Sequence, residues 1–370
     1  MSHRLSSDIY ASQSERNKNL RREKIKKNIL LVILFITFKL YSIGYWDYSP
    51  EFFNPSAISR SMGIVNIADA WSDNYNMSQN PAKIFHQDFI GISSSTSSTY
   101  PFFVDNLYDT KQASSNLFLS KNGVHVLLPS VNSSGKWGET TKLTKGIRGY
   151  SSVQEYALSG QLNLKKILQS VPNDFYLSVG MNLKDHHSVL DFYHYPVNGS
   201  IVREKTHNLS ADFGVLTKYR ISDDFLFGRS TELSLGFKQL HAIREKNSDN
   251  LKGYLKDYHV GMGIKQTLKE KEDGSDIIGL VMTANYSKGK DAAKASAFSS
   301  GLRLNLYNLI YVSTGYVDTS QDFNKFPTFG LGLNYEYQRI GFQCNYAHTE
   351  TMNDIKKSIN VIDLSIKYKL

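Results

Sequence analysis

From Phe329 to Leu370 the chain alternates apolar with polar or small residues at a period of two. Phe329, Leu331, Leu333, Tyr335 and Tyr337 hold one set of positions, and Gly330, Gly332, Asn334 and Glu336 the other. After Gln338-Arg339 the pattern restarts, with Ile340, Phe342, Cys344 and Tyr346 set against Gly341, Gln343, Asn345 and Ala347. Ile362, Leu364, Ile366, Tyr368 and Leu370 then alternate with Asp363, Ser365, Lys367 and Lys369. Successive side chains on a strand point to opposite faces, so each run has one apolar face and one polar or small face. The final run reaches the last residue, where the chain of a soluble domain usually frays. A terminal strand that pairs with the first and closes a cylinder accounts for this, and closure is the expectation.

The same alternation recurs upstream. Clear runs are centred on Tyr156–Leu164, Phe175–Leu183, Leu209–Tyr219, Leu233–Phe237, Tyr258–Ile264, Ile278–Tyr286, Leu302–Leu306 and Ile310–Tyr316. Weaker runs lie near Phe89–Ser95, Asn116–Ser120 and Val124–Leu128. With the three closing runs this predicts about fourteen strands, roughly the length that crosses a bilayer when tilted. Turn signals separate them, such as Pro172-Asn173-Asp174 and Glu272-Asp273-Gly274-Ser275. Longer polar connections, notably Lys184–His207 and Lys288–Ser296, suggest short turns at one end and long loops at the other. Half-buried strands of a soluble sandwich also alternate. A membrane barrel is favoured because nearly every strand carries one apolar face with no helix to cover it. The opposite face, rich in Gly, Ser, Asn and Thr, suits a hydrated or filled lumen. In lipid every backbone amide needs a partner within the protein, so a strand protein must close on itself. The fold class expected is all-β, a transmembrane antiparallel β-barrel.

The N-terminal region differs. Ile29–Phe38 is a short apolar core behind a basic stretch, too short for a spanning helix, which needs about 20 apolar residues. Followed by Ser42-Ile43-Gly44, it predicts a secretory signal over residues 1–44, with a membrane anchor as the alternative. That region holds nine Lys/Arg and three acids, a net +6, which leaves only +3 of the chain's +9 for the remainder. A nucleic-acid partner, which needs a basic stripe on one face, is not expected. The single Cys344 excludes an intramolecular disulfide and a multi-cysteine metal site. Its place in a strand suggests a small buried hydrophobe.

Residues 45–87 are compact and mixed in period. They contain Ser59-Arg60-Ser61-Met62-Gly63 and, at a turn signal, Asn80-Pro81-Ala82. This stretch resembles the N-terminal segment of outer-membrane barrels similar to long-chain fatty-acid transporters, including the PorV/PorQ-type proteins linked to type IX secretion. Ile64, Val65 and Asn66 stand where that pattern has glycines. The closing strands are also similar to that family's, although this chain ends in Leu370 rather than an aromatic residue. The resemblance implies a bacterial outer-membrane protein in which residues 45–87 fold into the lumen of a barrel formed by 88–370. It places Arg60, Met62, Gly63, Asn80 and Pro81 in a plug that either shapes a ligand pocket or only fixes the barrel's shape. It also implies contact with outer-membrane lipid and two competing roles. One is a scaffold that receives secreted proteins or secretion-complex subunits. The other is passive transport of a hydrophobic ligand such as a long-chain fatty acid.

Catalytic patterns are weak. There is no Gly-x-Ser-x-Gly, His-Glu-x-x-His, phosphate-cradling loop or Cys-x-x-Cys. Asp185, His186, His187, Asp191 and His194 lie close in sequence and could bind a metal, but a solvated loop is the plainer reading. No cofactor, metal or enzymatic activity is expected.

Overall fold

The structure, a computed structural model, describes residues 56–63, 66–72, 77, 79–99, 110–138, 147–168, 173–193, 201–222, 230–244, 257–270, 276–289, 296–319, 325–350 and 358–370. The expected signal at 1–44 and the first part of the 45–87 segment lie outside them. Fourteen strands are present: β1 (Phe89–Thr99), β2 (Thr110–Lys121), β3 (Val124–Gly138), β4 (Ile147–Asn163), β5 (Phe175–Tyr193), β6 (Ile201–Ser222) and β7 (Ser230–Arg244), then β8 (Asp257–Glu270), β9 (Asp276–Gly289), β10 (Ser296–Leu306), β11 (Ile310–Thr319), β12 (Lys325–Tyr337), β13 (Ile340–Glu350) and β14 (Ser358–Lys369). Each pairs antiparallel with its sequence neighbours. β1 also pairs with β14, from Phe89↔Lys369 to Ser98↔Asn360, and closes the barrel. The terminal strand therefore does pair with the first.

Alternation sets the two faces. Phe329, Leu331, Leu333, Tyr335 and Tyr337 on β12 are exposed outward, as are Ile362, Leu364, Ile366 and Tyr368 on β14. Leu235, Val260, Val312, Met181 and Leu158 continue the same outer surface on other strands. So much exposed aliphatic and aromatic surface is a liability in water and a requirement in lipid. The inner face is small or polar and buried, with Ser178, Asn182, Lys184, Ser234, Thr283, Asn285, Ser313, Thr328 and Asn345 among it. Cys344 lies on the outer face of β13 between Phe342 and Tyr346 and is half-buried. It is not the buried hydrophobe its strand position suggests, because the apolar face of this strand points to lipid rather than to a core.

The connection read at Lys184–His207 is largely strand. β5 and β6 pair without a break from Phe175↔Tyr219 to Tyr193↔Ile201. At 19 and 22 residues they exceed the roughly 9–11 that cross a bilayer, so their upper parts stand beyond it. There neither face needs to be apolar, and Lys184-Asp185-His186-His187-Ser188 carries no alternation to read. The candidate metal residues Asp185, His186, His187 and Asp191 therefore sit on a strand, and His194 lies outside the described residues. Asp185 pairs with His207 across the ladder at 2.7 Å. Among the described residues no three metal-ligating side chains converge.

Among the described residues there are also two short helices. α1 (Ala57–Ser61) is capped by Ser56, whose hydroxyl accepts from the Ser59 amide, and every one of its residues is buried. α2 (Leu164–Ile167) bridges β4 towards β5 at the short-turn end. That end also holds the tight turns at Asn122-Gly123, Tyr307–Leu309 and Gln338-Arg339, with Asn122, Tyr307, Asn308 and Gln338 at positive φ.

Candidate functional site: the lumen segment and an interrupted wall

The described residues between 56 and 88 touch inward-pointing groups on strands all around the ring, which places them inside the barrel. At one side, the α1 amide of Ala57 donates to Asp363 Oδ2 on β14 at 2.6 Å, and Ser95 on β1 donates to the other oxygen of the same carboxylate. Arg60 is buried and interacts electrostatically with Asp363. Ser313 Oγ donates to Ser61 Oγ at 2.6 Å and Thr328 Oγ1 to the Ser61 carbonyl at 2.9 Å. The helix is too short to stand alone, and these contacts hold it.

Past α1, Met62 is fully buried. Its Sδ lies 3.6 Å from Asn66 Nδ2 and 3.9 Å from Arg303 Nη1 on β10. Arg303 grips Asp69 with both terminal nitrogens, at 2.7 and 3.3 Å, and both side chains are buried. Bidentate pairing of this kind adds directional specificity to charge. Asp69 also accepts from Asn66 Nδ2 at 3.3 Å and from the Trp71 amide at 3.1 Å. Trp71 Nε1 donates to Glu232 on β7 at 2.5 Å, and the Ala68 carbonyl accepts from Ser234 Oγ at 2.5 Å. Asn80 is the second anchor. Its Nδ2 donates to the Ile67 carbonyl at 2.9 Å and the Val215 carbonyl at 3.3 Å, while its Oδ1 accepts from the Ala82 amide at 3.0 Å. One side chain thus ties two parts of the segment to β6.

The wall is recessed where the segment presses on it. Three cross-strand glycine pairs, Gly180–Gly214, Gly236–Gly261 and Gly301–Gly315, line the inner face. A Cβ at Gly214 would strike Asn80 Oδ1 and the Pro81 ring, and one at Gly180 the Pro81 carbonyl. A Cβ at Gly236 would meet the Ile67 backbone, and one at Gly301 or Gly315 the Met62-Gly63 backbone. Gly63 itself has φ +97°, a left-handed conformation that side chains disfavour, and a Cβ there would lie 2.9 Å from the Ser300 carbonyl. Met62, Gly63, Asn80 and Pro81, singled out in the sequence, therefore meet the wall at two of its three glycine pairs. Arg60 meets the Asp363 side instead.

Towards β1–β4 the contacts change character. Met77 and Phe85 of the segment pack with inward Phe89, Phe118, Leu127 and Ala157. Phe85 stacks edge-on against Phe89 and His125, and its backbone exchanges hydrogen bonds of 2.9 and 2.6 Å with Gln161. Just beyond Leu127 the wall is irregular. β3 pairs with β4 as Leu127↔Ala157 and resumes at Ser133↔Val153, so residues 128–132 of β3 face only 154–156 of β4. Against β2 the register shifts twice between Ala113↔Ser134 and Asn116↔Pro129, and again β3 is two residues long. Pro129 has no N–H to give a ladder.

The belt of exposed apolar side chains on a closed ring of fourteen strands defines the class: a bacterial outer-membrane β-barrel. Two toluene transporters of solved structure share that fold at very low identity. The Ralstonia pickettii toluene transporter TbuX is 9% identical over 90% of this chain and 100% of its own, with a TM-score of 0.53. The Pseudomonas putida toluene transporter TodX is 11% identical over 89% of this chain and 99% of its own, with a TM-score of 0.50. A Pseudomonas aeruginosa FadL homologue is 10% identical over 85% of this chain and 98% of its own, with a TM-score of 0.48. No protein-family model matches the sequence, and no curated protein does.

Proposed function

We infer that the protein is a passive, non-enzymatic transporter of small hydrophobic molecules, and that residues 45–87 form its lumen plug. The observation that carries this is the two-residue excess in β3, which interrupts the ladder to β4 directly beside the apolar cluster of Met77, Phe85, Phe118, Leu127 and Ala157. A hydrophobic solute gains by moving from that cluster into lipid without crossing water, and a wall of unbroken hydrogen bonds would forbid the passage. Structural likeness to two toluene transporters supports this role over that of a secretion scaffold. The PorV/PorQ-type reading draws no support from those neighbours. Within the plug, Arg60, Met62, Gly63, Asn80 and Pro81 are anchors, and Met77 and Phe85 are the side chains that a ligand would meet.

The test removes the excess. Deleting Ser130 and Val131 leaves three residues between Leu127 and Ser133 to match three on β4, and a two-residue deletion keeps every later side chain on its face. Cells that lack the gene and carry this variant should take up labelled toluene at the rate of cells without it, while the variant still migrates as a folded barrel on unheated gels. A folded deletion variant that transports like the parent would end this reading.

A further inference from the structure

Asn182, on β5, has no exposed surface, and neither its Nδ2 nor its Oδ1 has a hydrogen-bond partner. It points inward and sits directly between Ala157 on β4 and Asp212 on β6. Ala157 belongs to the apolar cluster at the wall interruption. Ser159, the next inward residue of β4, is also buried with its hydroxyl unpartnered. Ser159 pairs with Gly180, so it is the diagonal neighbour of Asn182, at roughly 7 Å between strands. Burying a polar group without a partner costs about 1–3 kcal/mol. Here two such groups adjoin one apolar surface, within reach of one small ligand.

The nearby charges are already committed to one another. Lys184 Nζ lies 2.6 Å from Asp212 Oδ2 and 3.7 Å from Glu155 Oε1, and Lys238 Nζ lies 3.2 Å from Asp212 Oδ2. Among the described residues, two ammoniums and two carboxylates face one another here. An anionic head group entering here would meet Asp212 and Glu155 and would have to displace one of them. An uncharged group that both donates and accepts meets no such opposition. Asn182 and Ser159 each offer a donor and an acceptor, which matches a hydroxyl.

We propose that Asn182 and Ser159 form a polar subsite of the transport path, selecting hydrophobic molecules that carry one uncharged hydroxyl, such as alkylphenols, over bare hydrocarbons and carboxylates. The subsite rests on the transport reading above. Sites that hydrogen-bond a substrate hydroxyl discriminate strongly against analogues lacking it.

The experiment compares initial uptake of labelled 4-propylphenol, propylbenzene and 4-propylbenzoate by cells with and without the gene. The full-length protein should carry 4-propylphenol at least tenfold faster than either of the others. Asn182→Leu, which keeps the branching and heavy-atom count of the side chain but cannot hydrogen-bond, should bring the phenol-to-benzene ratio to near one, and Ser159→Ala should lower it in part. Gel mobility before and after heating shows whether each variant is folded, and the wild-type ratio stands without any variant. Equal rates for phenol and hydrocarbon in the wild type would overturn the subsite and leave hydrocarbon transport standing. A ratio unaltered in folded Asn182→Leu would do the same. Gene-independent entry of all three would overturn both readings.

Discussion

Breaking the Asp69–Arg303 pair should loosen the lumen segment without opening the barrel. The two side chains are buried and bidentate at 2.7 and 3.3 Å. Removing one partner of a buried pair leaves an uncompensated charge, at a cost of about 3–5 kcal/mol. Arg303→Met leaves Asp69 with Asn66, the Trp71 amide and the field of Lys83, so its cost belongs at the lower end. Asp69→Leu leaves the guanidinium over the Tyr311 ring, 5.9 Å from its centroid. The ladder bonds of β10 are backbone bonds and survive either change. The energy therefore appears as local opening of the segment rather than global unfolding. At about 1.4 kcal/mol per tenfold, 3–5 kcal/mol raises the open population by roughly 10²- to 4 × 10³-fold. The reporter is Ser61→Cys in a Cys344→Ser background, because Ser61 is fully buried against Ser313. When reclosing outpaces reaction, maleimide labelling follows the open population. Each single variant should label about a hundredfold faster or more. The double variant Asp69→Leu/Arg303→Met, which removes both charges of the pair, should return to within about tenfold of the parent, since apolar replacement of a buried pair is often neutral. Parent-like labelling in both single variants would refute the claim that this pair fixes the segment.

Two further predictions probe the two faces of the wall. Gly214→Val should displace Asn80 and Pro81 and speed labelling of the same Ser61→Cys reporter, whereas Gly160→Val, where a Cβ has nothing within 4 Å, should leave it alone; a matched effect from both would mean the glycine recess is incidental. On the lipid side, Leu331→Arg should cost about 2–4 kcal/mol if it lies near mid-membrane, read as a lower urea midpoint in vesicles, and an unshifted midpoint would mean that this face does not meet lipid.

The outer face was legible because lipid demands a period-two apolar pattern strand after strand, and all eleven clear runs are strands. The three weak runs are strands as well. They were faint because the outer positions of β1 carry Ser94 and Thr96 beside Ile90 and Ile92. Lys184–His207 was misread because a strand that rises past the bilayer needs no apolar face. The glycine pairs were invisible, since each partner lies on another strand and only register brings them together. The same holds for Asp69 and Arg303, 234 residues apart. The β3 excess did leave one trace: Pro129 inside an alternating run, which argues against an unbroken central ladder.

The segment is held unevenly, and the unevenness has a direction. Against β5–β12 and β14 it is fixed by hydrogen bonds, an ion pair and backbone pressed into glycine recesses, all of which fail sharply when displaced by an ångström. Against β1–β4 it offers Met77 and Phe85, with Gln161 the main polar link. Apolar contacts are individually weak and non-directional, so another hydrophobic body can replace them at small cost. A solute in the lumen would therefore displace the segment on the β1–β4 side first. That is the side on which β3 carries two residues too many for its neighbours and on which Ser159 lacks a partner, with unpartnered Asn182 on the adjoining β5. A two-residue excess of β7 against β6 and unpartnered atoms at Thr283 and Asn345 lie elsewhere in the ring, so what marks the β3–β5 wall is that an excess and unpartnered polar atoms stand there beside the apolar cluster of Met77 and Phe85.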